Sequence, residues 1–594
     1  MRETAGPCLA SRAWAPALLV AAATGLVFAR SVGLGFVVWD DEILLVTNPA
    51  FRGFGWAHLR WMTQSALLGH WVPVTWLSFA LDHALWGPHA AGYHRTNVLL
   101  HAVNAGLVFV LAARLLRRAT GWPDGVCRLG AFAAALLWGV HPTRVEAVSW
   151  LTGRRDVLSG FFLLLSVLAY VRATAPAARR RAWLIGALVA YALALGSKAV
   201  VMVLPVALVA LEWYPLGGLR KHRRDGADRG PRRAWPRLVP FAAVAALAAV
   251  ASYVTQGRGS GVRVLSVADW LGTLTGTLGI QLSKAVLPIG LSPLYEMPPR
   301  IDLGAPRYWV AALVAAAITV LVVGLRRRWP AGLVAWVWFL AFLAPVTAMA
   351  HAGPQLTADR YSYLPALGLS LLAGALVAVA VRAGRSGRAG ALASTGIGLT
   401  VLLVLVALGA LSWRQQGVWR DRGALWAHAV SVTPECVRCQ VNLGAWLAEQ
   451  GQLAEAIAHY DRALELDPRR VDLHTNVGLV LARMGQPGEA AARYEKVLAR
   501  YPDRVAVRVS LAVALVSAHR LPEAVTRLEE AARFSSPATL VDFFERLTIT
   551  QPTAAVPHLG LLQAYARIGD RLAAREAHEA LAALHPALAR ASQR

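Results

Sequence analysis

Asn442 to Pro468 reads NLGAWLAEQGQLAEAIAHYDRALELDP, and Asn476 to Pro502, 34 residues further on, reads NVGLVLARMGQPGEAAARYEKVLARYP. The two stretches agree at Asn442 and Asn476, Gly444 and Gly478, Gly451 and Gly485, Tyr460 and Tyr494, and Pro468 and Pro502. A period of this length puts small residues where two antiparallel helices touch and a proline at the close of each unit, which predicts a stack of helical hairpins. Weaker copies follow, with Glu523-Ala524 in the third and Leu559-Gly560, Tyr565 and Gly569 in the last. Residues 433–594 therefore read as about four such units, an α-solenoid whose concave face suits an extended peptide or a helix.

The spacing is that of tetratricopeptide repeats. What precedes them is chemically different. The 594-residue chain is 56% hydrophobic and only 16% charged, too apolar for water to be its main solvent. Apolar runs of about 18 residues or more, enough to cross a hydrocarbon core of about 30 Å, recur from Trp14 to Leu411 and then stop. The net charge of +26 does not mark a nucleic-acid binder. Nearly all of it lies before Glu435, in short clusters between hydrophobic runs where the positive-inside rule places it.

Those clusters fix a topology. They are Arg114, Arg117, Arg118 and Arg128; Arg179 to Arg181; Arg220 to Arg237; Arg326 to Arg328; and Arg382, Arg385 and Arg388. With each in the cytoplasm, crossings fall near 14–33, 94–114, 129–141, 157–172, 183–197, 199–215, 238–255, 308–325, 331–349, 362–381 and 391–411. The first is expected to be a retained signal anchor, because it is long and lacks a small-residue cleavage pattern. An odd number of crossings from a cytoplasmic N-terminus puts the repeats outside. Leu265 to Leu291 would break that parity as a full span, so it is expected to be re-entrant, interfacial or a pair of half-helices. The expected organisation is an all-α polytopic transmembrane bundle of about 11–12 spans over 1–432, with outer loops 35–93, 141–156 and 256–307, followed by the repeat domain.

The outer loops hold most of the carboxylates and several misplaced cations. Trp39-Asp40-Asp41-Glu42 sets three acids side by side just beyond a span, where mutual repulsion must be offset by solvent, a cation or a cationic partner. Such a cluster is either membrane-edge solvation or a positioned general base. The same loop continues through Gly69-His70-Trp71-Val72-Pro73-Val74-Thr75, Leu81-Asp82 and Gly92-Tyr93-His94-Arg95-Thr96-Asn97. The second loop carries His141-Pro142-Thr143-Arg144-Val145-Glu146 and Gly153-Arg154-Arg155-Asp156. Arginine is disfavoured on this side of a membrane, so these residues, with Lys198 and Asp359-Arg360-Tyr361, suit a bound anion such as phosphate, or structural ion pairs with nearby carboxylates. Cys436 and Cys439 are three apart. No further metal ligands stand near them, which leaves a local disulfide, inert thiols or a redox pair.

Taken in order, the run from Trp39 through His94, His141 to Glu146, Gly153 to Asp156, Ser197-Lys198, Leu287-Pro288 with Leu291-Ser292, Ala358-Asp359-Arg360-Tyr361 and the trailing repeats resemble the transmembrane and tetratricopeptide repeat containing (TMTC) family and its bacterial relatives. The resemblance implies a GT-C membrane glycosyltransferase that moves a sugar, mannose in the eukaryotic members, from a polyprenyl phosphate to a protein hydroxyl with inversion. It implies Asp41 as base, with Asp40 its rival and Glu42 beside them. Arg154, Arg155, Lys198 and Arg360 would cradle the donor phosphate, and His94 would orient base or acceptor. Arg95, His141, Glu146, Asp156 and Asp359 complete the substrate-binding set. No metal and no other cofactor is required by a monophosphate leaving group. The expected partners are the polyprenyl-phosphate-linked sugar, a protein or peptide acceptor bound by the repeats, and the lipid bilayer. The richness in Ala, Arg and Gly points to a bacterial inner membrane with periplasmic repeats, or to the endoplasmic reticulum membrane in a eukaryote. The competing reading is a non-catalytic repeat scaffold anchored in the membrane for envelope assembly.

Overall fold

The computed structural model describes residues 8–37, 39–175, 179–219, 234–257, 262–298, 300–347, 350–353, 355–384, 387–531 and 533–593. Most of the basic cluster between Arg220 and Arg237, and Arg385, lie outside the described residues. Among the described residues the chain is all-α apart from four strands of two or three residues. It divides into two compact units, Met1–His428 and Ala429–Arg594.

The first unit contains helices α1 (Cys8–Val27), α2 (Trp56–Gln64), α3 (Pro73–Trp86), α4 (Ala90–Thr120), α5 (Asp124–Gly139), α6 (Val145–Ser149), α7 (Arg154–Ala173), α8 (Arg180–Ser197), α9 (Leu204–Trp213), α10 (Trp235–Gly257), α11 (Val267–Val286), α12 (Pro306–Gly324), α13 (Pro330–Leu343), α14 (Pro365–Ala383), α15 (Gly387–Gln416) and α16 (Arg422–Val432), which runs into the second unit. Each of the eleven expected crossings coincides with a helix. Seven of these segments are long and apolar enough by themselves to cross a membrane: those in α4, α7, α10, α12, α13, α14 and α15. The others fall short for local reasons. The 16 residues of α5 rise only about 24 Å at about 1.5 Å per residue, and Pro205 restarts the helix after a tight turn at Ala199–Val203, dividing the 199–215 segment.

One continuous apolar core joins α1, α4, α5, α7, α8, α9, α10, α13 and α14. Lipid is as apolar as leucine, so helix pairing here depends on close backbone approach between small residues. The crossing of α5 and α14 shows this: a Cβ on Gly130 would lie 2.6 Å from the Gly374 carbonyl oxygen. The segment between α1 and α4 has its own small core of Leu44, Phe51, Met62, Trp76, Phe79 and Tyr93. That layer is tied to the bundle at the start of α3. The Thr75 hydroxyl donates to the Ser197 carbonyl at 3.0 Å, and a Cβ on Gly196 would meet Val74 at 2.7 Å.

The Leu265 to Leu291 segment is one unbroken 20-residue helix, α11, rather than two half-helices. It is not among the seven segments with spanning composition. It braces the turn at Asp359. Thr277 donates to the Leu356 carbonyl at 3.0 Å, and the Gln281 amide donates to Thr357 Oγ1 at 2.9 Å and to the Ala358 carbonyl at 2.8 Å. Strand β1 (Val262–Val264) pairs antiparallel with β3 (Ala350–Ala352), and β2 (Tyr295–Glu296) pairs with β4 (Gln355–Thr357) on the approach to the same turn.

In the second unit the helices alternate as hairpins: α17 (Val437–Glu449) with α18 (Leu453–Leu466), α19 (Val471–Arg483) with α20 (Pro487–Arg500), α21 (Val505–Ser517) with α22 (Leu521–Ala531), then α23 (Pro537–Thr550), α24 (Ala555–Ile568), α25 (Arg571–Leu584) and α26 (Pro586–Ala591). The repeated glycines sit where the period demands. A Cβ on Gly444 would lie 3.0 Å from the Tyr460 ring, and one on Gly478 2.5 Å from that of Tyr494. Gly451 and Gly485 end the first helix of their hairpins at φ +80° and +76°. At the matching place in the third repeat stands His519, forced to φ +60°. Cys436 and Cys439 form a disulfide at the start of α17.

Candidate active site

After α5 the chain turns through Pro142–Arg144, α6 and Leu151–Gly153 before α7 begins. Pro142 opens the first turn, and the His141 side chain caps it by accepting from the Thr143 N–H. At Gly153 a Cβ would sit 2.5 Å from the Ala147 carbonyl oxygen, so only glycine permits the step into α7. That step places Arg154, Arg155 and Asp156 in the first helical turn, where each points to a different neighbour.

Arg154 is fully buried and fully engaged within the fold. Its guanidinium meets Asp82 Oδ2 at 2.5 Å, Ser78 Oγ at 2.7 Å, the Tyr93 carbonyl at 2.9 Å and the Asn97 side chain. It therefore ties α3 and α4 to α7 and is not brought together with the other cations. Burial raises the Asp82 carboxyl, opposed by Arg154 and by the Thr96 hydroxyl at 2.6 Å.

Arg155, Lys198 and Arg360 do come together, from the start of α7, the end of α8 and the turn Asp359–Ser362. Lys198 Nζ lies 2.5 Å from Asp156, Arg155 lies 3.7 Å from Asp40, and Arg360 pairs with Glu146. The Arg360 N–H also donates to Glu146 at 2.7 Å. Burial lowers the proton affinity of Lys198, and Arg360 and Arg155 lower it further against the pull of Asp156. Glu146 is raised by burial against the stabilising Arg360. Asp359 is raised well above the carboxylate range by burial and by Glu146, with Tyr295 donating to it at 2.8 Å. Arg155 and Lys198 keep 14% and 20% of their side-chain surface accessible, so neither is sealed inside the fold as Arg154 is.

The acidic run divides in the same way. Asp41 is completely buried, accepting from the Val37 N–H at 3.0 Å and the Thr152 N–H at 3.3 Å, and burial lifts it to about 7. Asp40, beside Arg155, keeps 26% of its side chain exposed. Accessibility thus favours Asp40 over Asp41 as the carboxylate that meets a substrate. His94, also fully buried, contacts the Gly35 carbonyl at 3.2 Å and fixes the same extended segment that Asp41 holds through Val37. Glu42 opens a separate turn, Glu42–Val46. Arg95 is exposed on α4 over the Trp86 ring. His141 is nearly buried, bonded to the Thr143 hydroxyl at 2.8 Å, and held down to about 3 by burial and by Arg144.

Several participants escaped sequence reasoning. Tyr295 has no spacing relation to Asp359. Tyr361 and Trp150 both lie 5.1 Å from the Arg360 guanidinium, and Trp150 stacks on Trp39 and Trp419. His70 lies in a quoted motif, yet only the fold brings Arg155, Lys198 and Arg360 to act on it. An apolar groove of about 120 Å³ lies between α4, α9, α13 and α14, lined by Leu111, Leu115, Leu211, Ala335, Trp338 and Leu371. Among the described residues, no three His, Cys, Asp or Glu side chains are grouped to hold a metal ion.

A TPR repeat family model matches residues 444–485, and a tetratricopeptide repeat model matches residues 481–534. Among curated proteins, the chain is 35% identical over 154 residues to protein O-mannosyl-transferase Tmtc1 of Drosophila melanogaster, covering 25% of this chain and 17% of that one. It is 31% identical over 179 residues to human protein O-mannosyl-transferase TMTC2, covering 28% and 20%, and 34% identical over 173 residues to human TMTC4, covering 27% and 23%. The matched segments span about a fifth of the length of these relatives. Over those segments the chain is similar to the TMTC proteins. Among solved structures, YrrB, a TPR protein with an unusual peptide-binding site, is 17% identical, covering 33% of this chain and 89% of that one at a TM-score of 0.20.

Proposed function

We propose that this membrane protein is a glycosyltransferase that moves a sugar, mannose by the names of its relatives, from a polyprenyl-phosphate donor to a hydroxyl of a protein or peptide acceptor, with inversion, on the non-cytoplasmic face. The observation that carries this reading is the convergence of Arg155, Lys198 and Arg360, with Asp40 beside Arg155. Three cations on the side of a bundle where cations are disfavoured suit a phosphate, and a carboxylate beside them suits a hydroxyl that must lose its proton.

In this assignment Asp40 accepts the acceptor proton as the hydroxyl oxygen attacks the anomeric carbon. The bond to the phosphate oxygen breaks, and Arg155, Lys198 and Arg360 take up the charge that develops on the departing polyprenyl phosphate. Glu146 and Asp156 hold the cations in register, and Asp41 and His94 position the loop that presents Asp40. Arg154, with Asp82, keeps the loop layer on the bundle. The repeats bind the acceptor polypeptide. The setting we assign is a bacterial inner membrane with periplasmic repeats.

The test is transfer by the purified full-length chain from radiolabelled mannosyl-phosphoryl polyprenol to peptides, with glycopeptide mass spectrometry of cells that carry or lack the gene. Loss of a positioned base lowers rate by about 10²–10⁴-fold, which is expected of Asp40→Asn. Glycopeptides unchanged by deletion of the gene, and label that stays on the lipid, would favour the anchored scaffold instead.

A further inference from the structure

Helices α4, α7 and α14 each begin at the candidate site and end at a second group of cations. At about 1.5 Å per residue, Arg172 lies about 26 Å along α7 from Arg155, and Arg382 about 26 Å along α14 from Pro365. The three ends are joined there. Arg118, near the end of α4, donates to the Val171 carbonyl at 3.0 Å and to the Thr174 hydroxyl at 2.5 Å, and Arg382 lies 5.0 Å from the Trp122 ring just beyond α4. Exposed Arg114 and Arg172 stand within reach of each other's charge and of Arg118. The nearby carboxylates are committed elsewhere, Asp124 to Arg117, and Glu212 to Arg237 and Tyr170. Among the described residues, Arg114, Arg118, Arg172 and Arg382 form no ion pair.

The apolar groove between α4, α9, α13 and α14 runs to this same end. Ala119 and Thr120 line it at the close of α4, Tyr214 and Pro215 just after α9, Ala331 at the start of α13, and Ala375 on α14. Thr120 accepts from the Trp122 N–H at 3.2 Å, so the last lining residues of α4 lie between Arg118 and the ring that carries Arg382. We infer that the groove and these arginines form a binding site for an anionic phospholipid of the surrounding bilayer, with one acyl chain in the groove and the phosphodiester between Arg118 and Arg382. The groove selects nothing by being apolar, because bulk lipid is equally apolar. Charge does the selecting. A zwitterionic headgroup brings an ammonium towards unpaired arginines, whereas an anionic one brings only negative charge, worth about fivefold in affinity for each arginine near the membrane surface. Its distance from Arg155 and Arg360 makes this site separate from the donor-phosphate cradle, and it stands whether or not the chain transfers sugar.

Native mass spectrometry of the delipidated full chain in detergent, titrated with dioleoyl phosphatidylglycerol or dioleoyl phosphatidylcholine, tests this. One phosphatidylglycerol per chain is expected to bind about 30-fold more tightly than phosphatidylcholine, the product of two arginine contacts. Arg118→Gln combined with Arg382→Gln is expected to bring the two lipids level. Ala375→Phe fills the groove and leaves the arginines in place, and is expected to abolish the bound phosphatidylglycerol. Ala331→Leu fills it from α13 and replaces the first variant if thermal unfolding shows that Ala375→Phe disturbs the bundle. Equal affinities in the wild-type chain, a preference that survives both glutamines, or phosphatidylglycerol binding untouched by a filled groove overturns the inference. Undecaprenyl phosphate that displaces phosphatidylglycerol at equal or lower concentration also overturns it, because the groove then holds the tail of a donor lipid.

Discussion

Replacing Asp41 with asparagine should make the membrane unit more stable at neutral pH. The carboxyl is completely buried, and burial lifts it from 3.8 to about 7, outweighing the two backbone N–H groups that it accepts from. Because the folded-state value lies above the unfolded one, the contribution of this group is fully present below pH 3.8 and is lost as pH rises through about 7. At about 1.36 kcal/mol for each pH unit between the two values, the folded state gives up about 4 kcal/mol over that window. Asparagine keeps one acceptor and one donor, as the protonated carboxyl does, and cannot ionise. Thermal unfolding of full-length Asp41→Asn and wild-type chains in detergent, followed by tryptophan fluorescence at pH 4.5, 6 and 7.5, should show a stability gap that is small at the lowest pH and widens with each step. Stability that rises while transfer falls marks a residue retained for function at the expense of the fold. A gap that does not grow with pH, or an asparagine variant less stable at every pH, would refute the assignment of the penalty to burial.

Three further outcomes follow from the same geometry. Asp82→Asn leaves Arg154 buried without its counter-charge and should cost about 3–5 kcal/mol, read as lost thermal stability, whereas the paired change Asp82→Leu with Arg154→Met should recover much of it. Lys198→Met should raise the donor KM by about 10–100-fold, and Lys198→Arg should restore part of the loss, because a charge-assisted contact is worth about 1.5–3 kcal/mol. His519→Gly should stabilise the repeat unit by up to about 1 kcal/mol in denaturant titration, since it relieves a left-handed conformation that Gly451 and Gly485 adopt without strain.

The repeat unit was readable because its determinants are local: Gly444 and Tyr460 lie in one hairpin, and their spacing recurs unchanged. The weak third copy is explained by His519 standing at a glycine position, and by α23 entering before the last pair. The membrane helices were readable from apolar runs, but their lengths were not, because Pro205 and the shortness of α5 act below the resolution of a hydropathy window. For the site, sequence supplied residue types but not the pairing. Arg154 finds Asp82 across 72 positions, and Arg360 finds Glu146 across 214. Two adjacent arginines with the same apparent chemistry therefore divided into one that ties helices together and one that keeps accessible surface, and two adjacent aspartates divided likewise. A shift of one residue along a helix turns a side chain by about 100°, and only the packing of α3, α4 and α7 decides which direction is buried.

The pairing of Arg155 with Asp40 has a consequence for the chemistry we propose. The three cations are matched by Asp40, Asp156 and Glu146, so an arriving phosphodiester finds each of them already paired. The contact at Arg155 is the longest of the three, 3.7 Å, and both partners keep accessible surface. When Asp40 takes the acceptor proton it loses the charge that holds Arg155, at the moment the departing phosphate gains its second negative charge. Arg155 can then turn from one to the other, stabilising the transition state more than the bound donor, which raises kcat and leaves KM nearly unchanged. Arg155→Gln should therefore lower kcat by about 10²–10³-fold with a donor KM within a few-fold of wild type, the reverse of the pattern expected at Lys198. Steady-state transfer with the donor concentration varied separates the two. A raised KM with unchanged kcat at Arg155 would place it with Lys198 as a ground-state contact, and the exchange of partners would have to be abandoned.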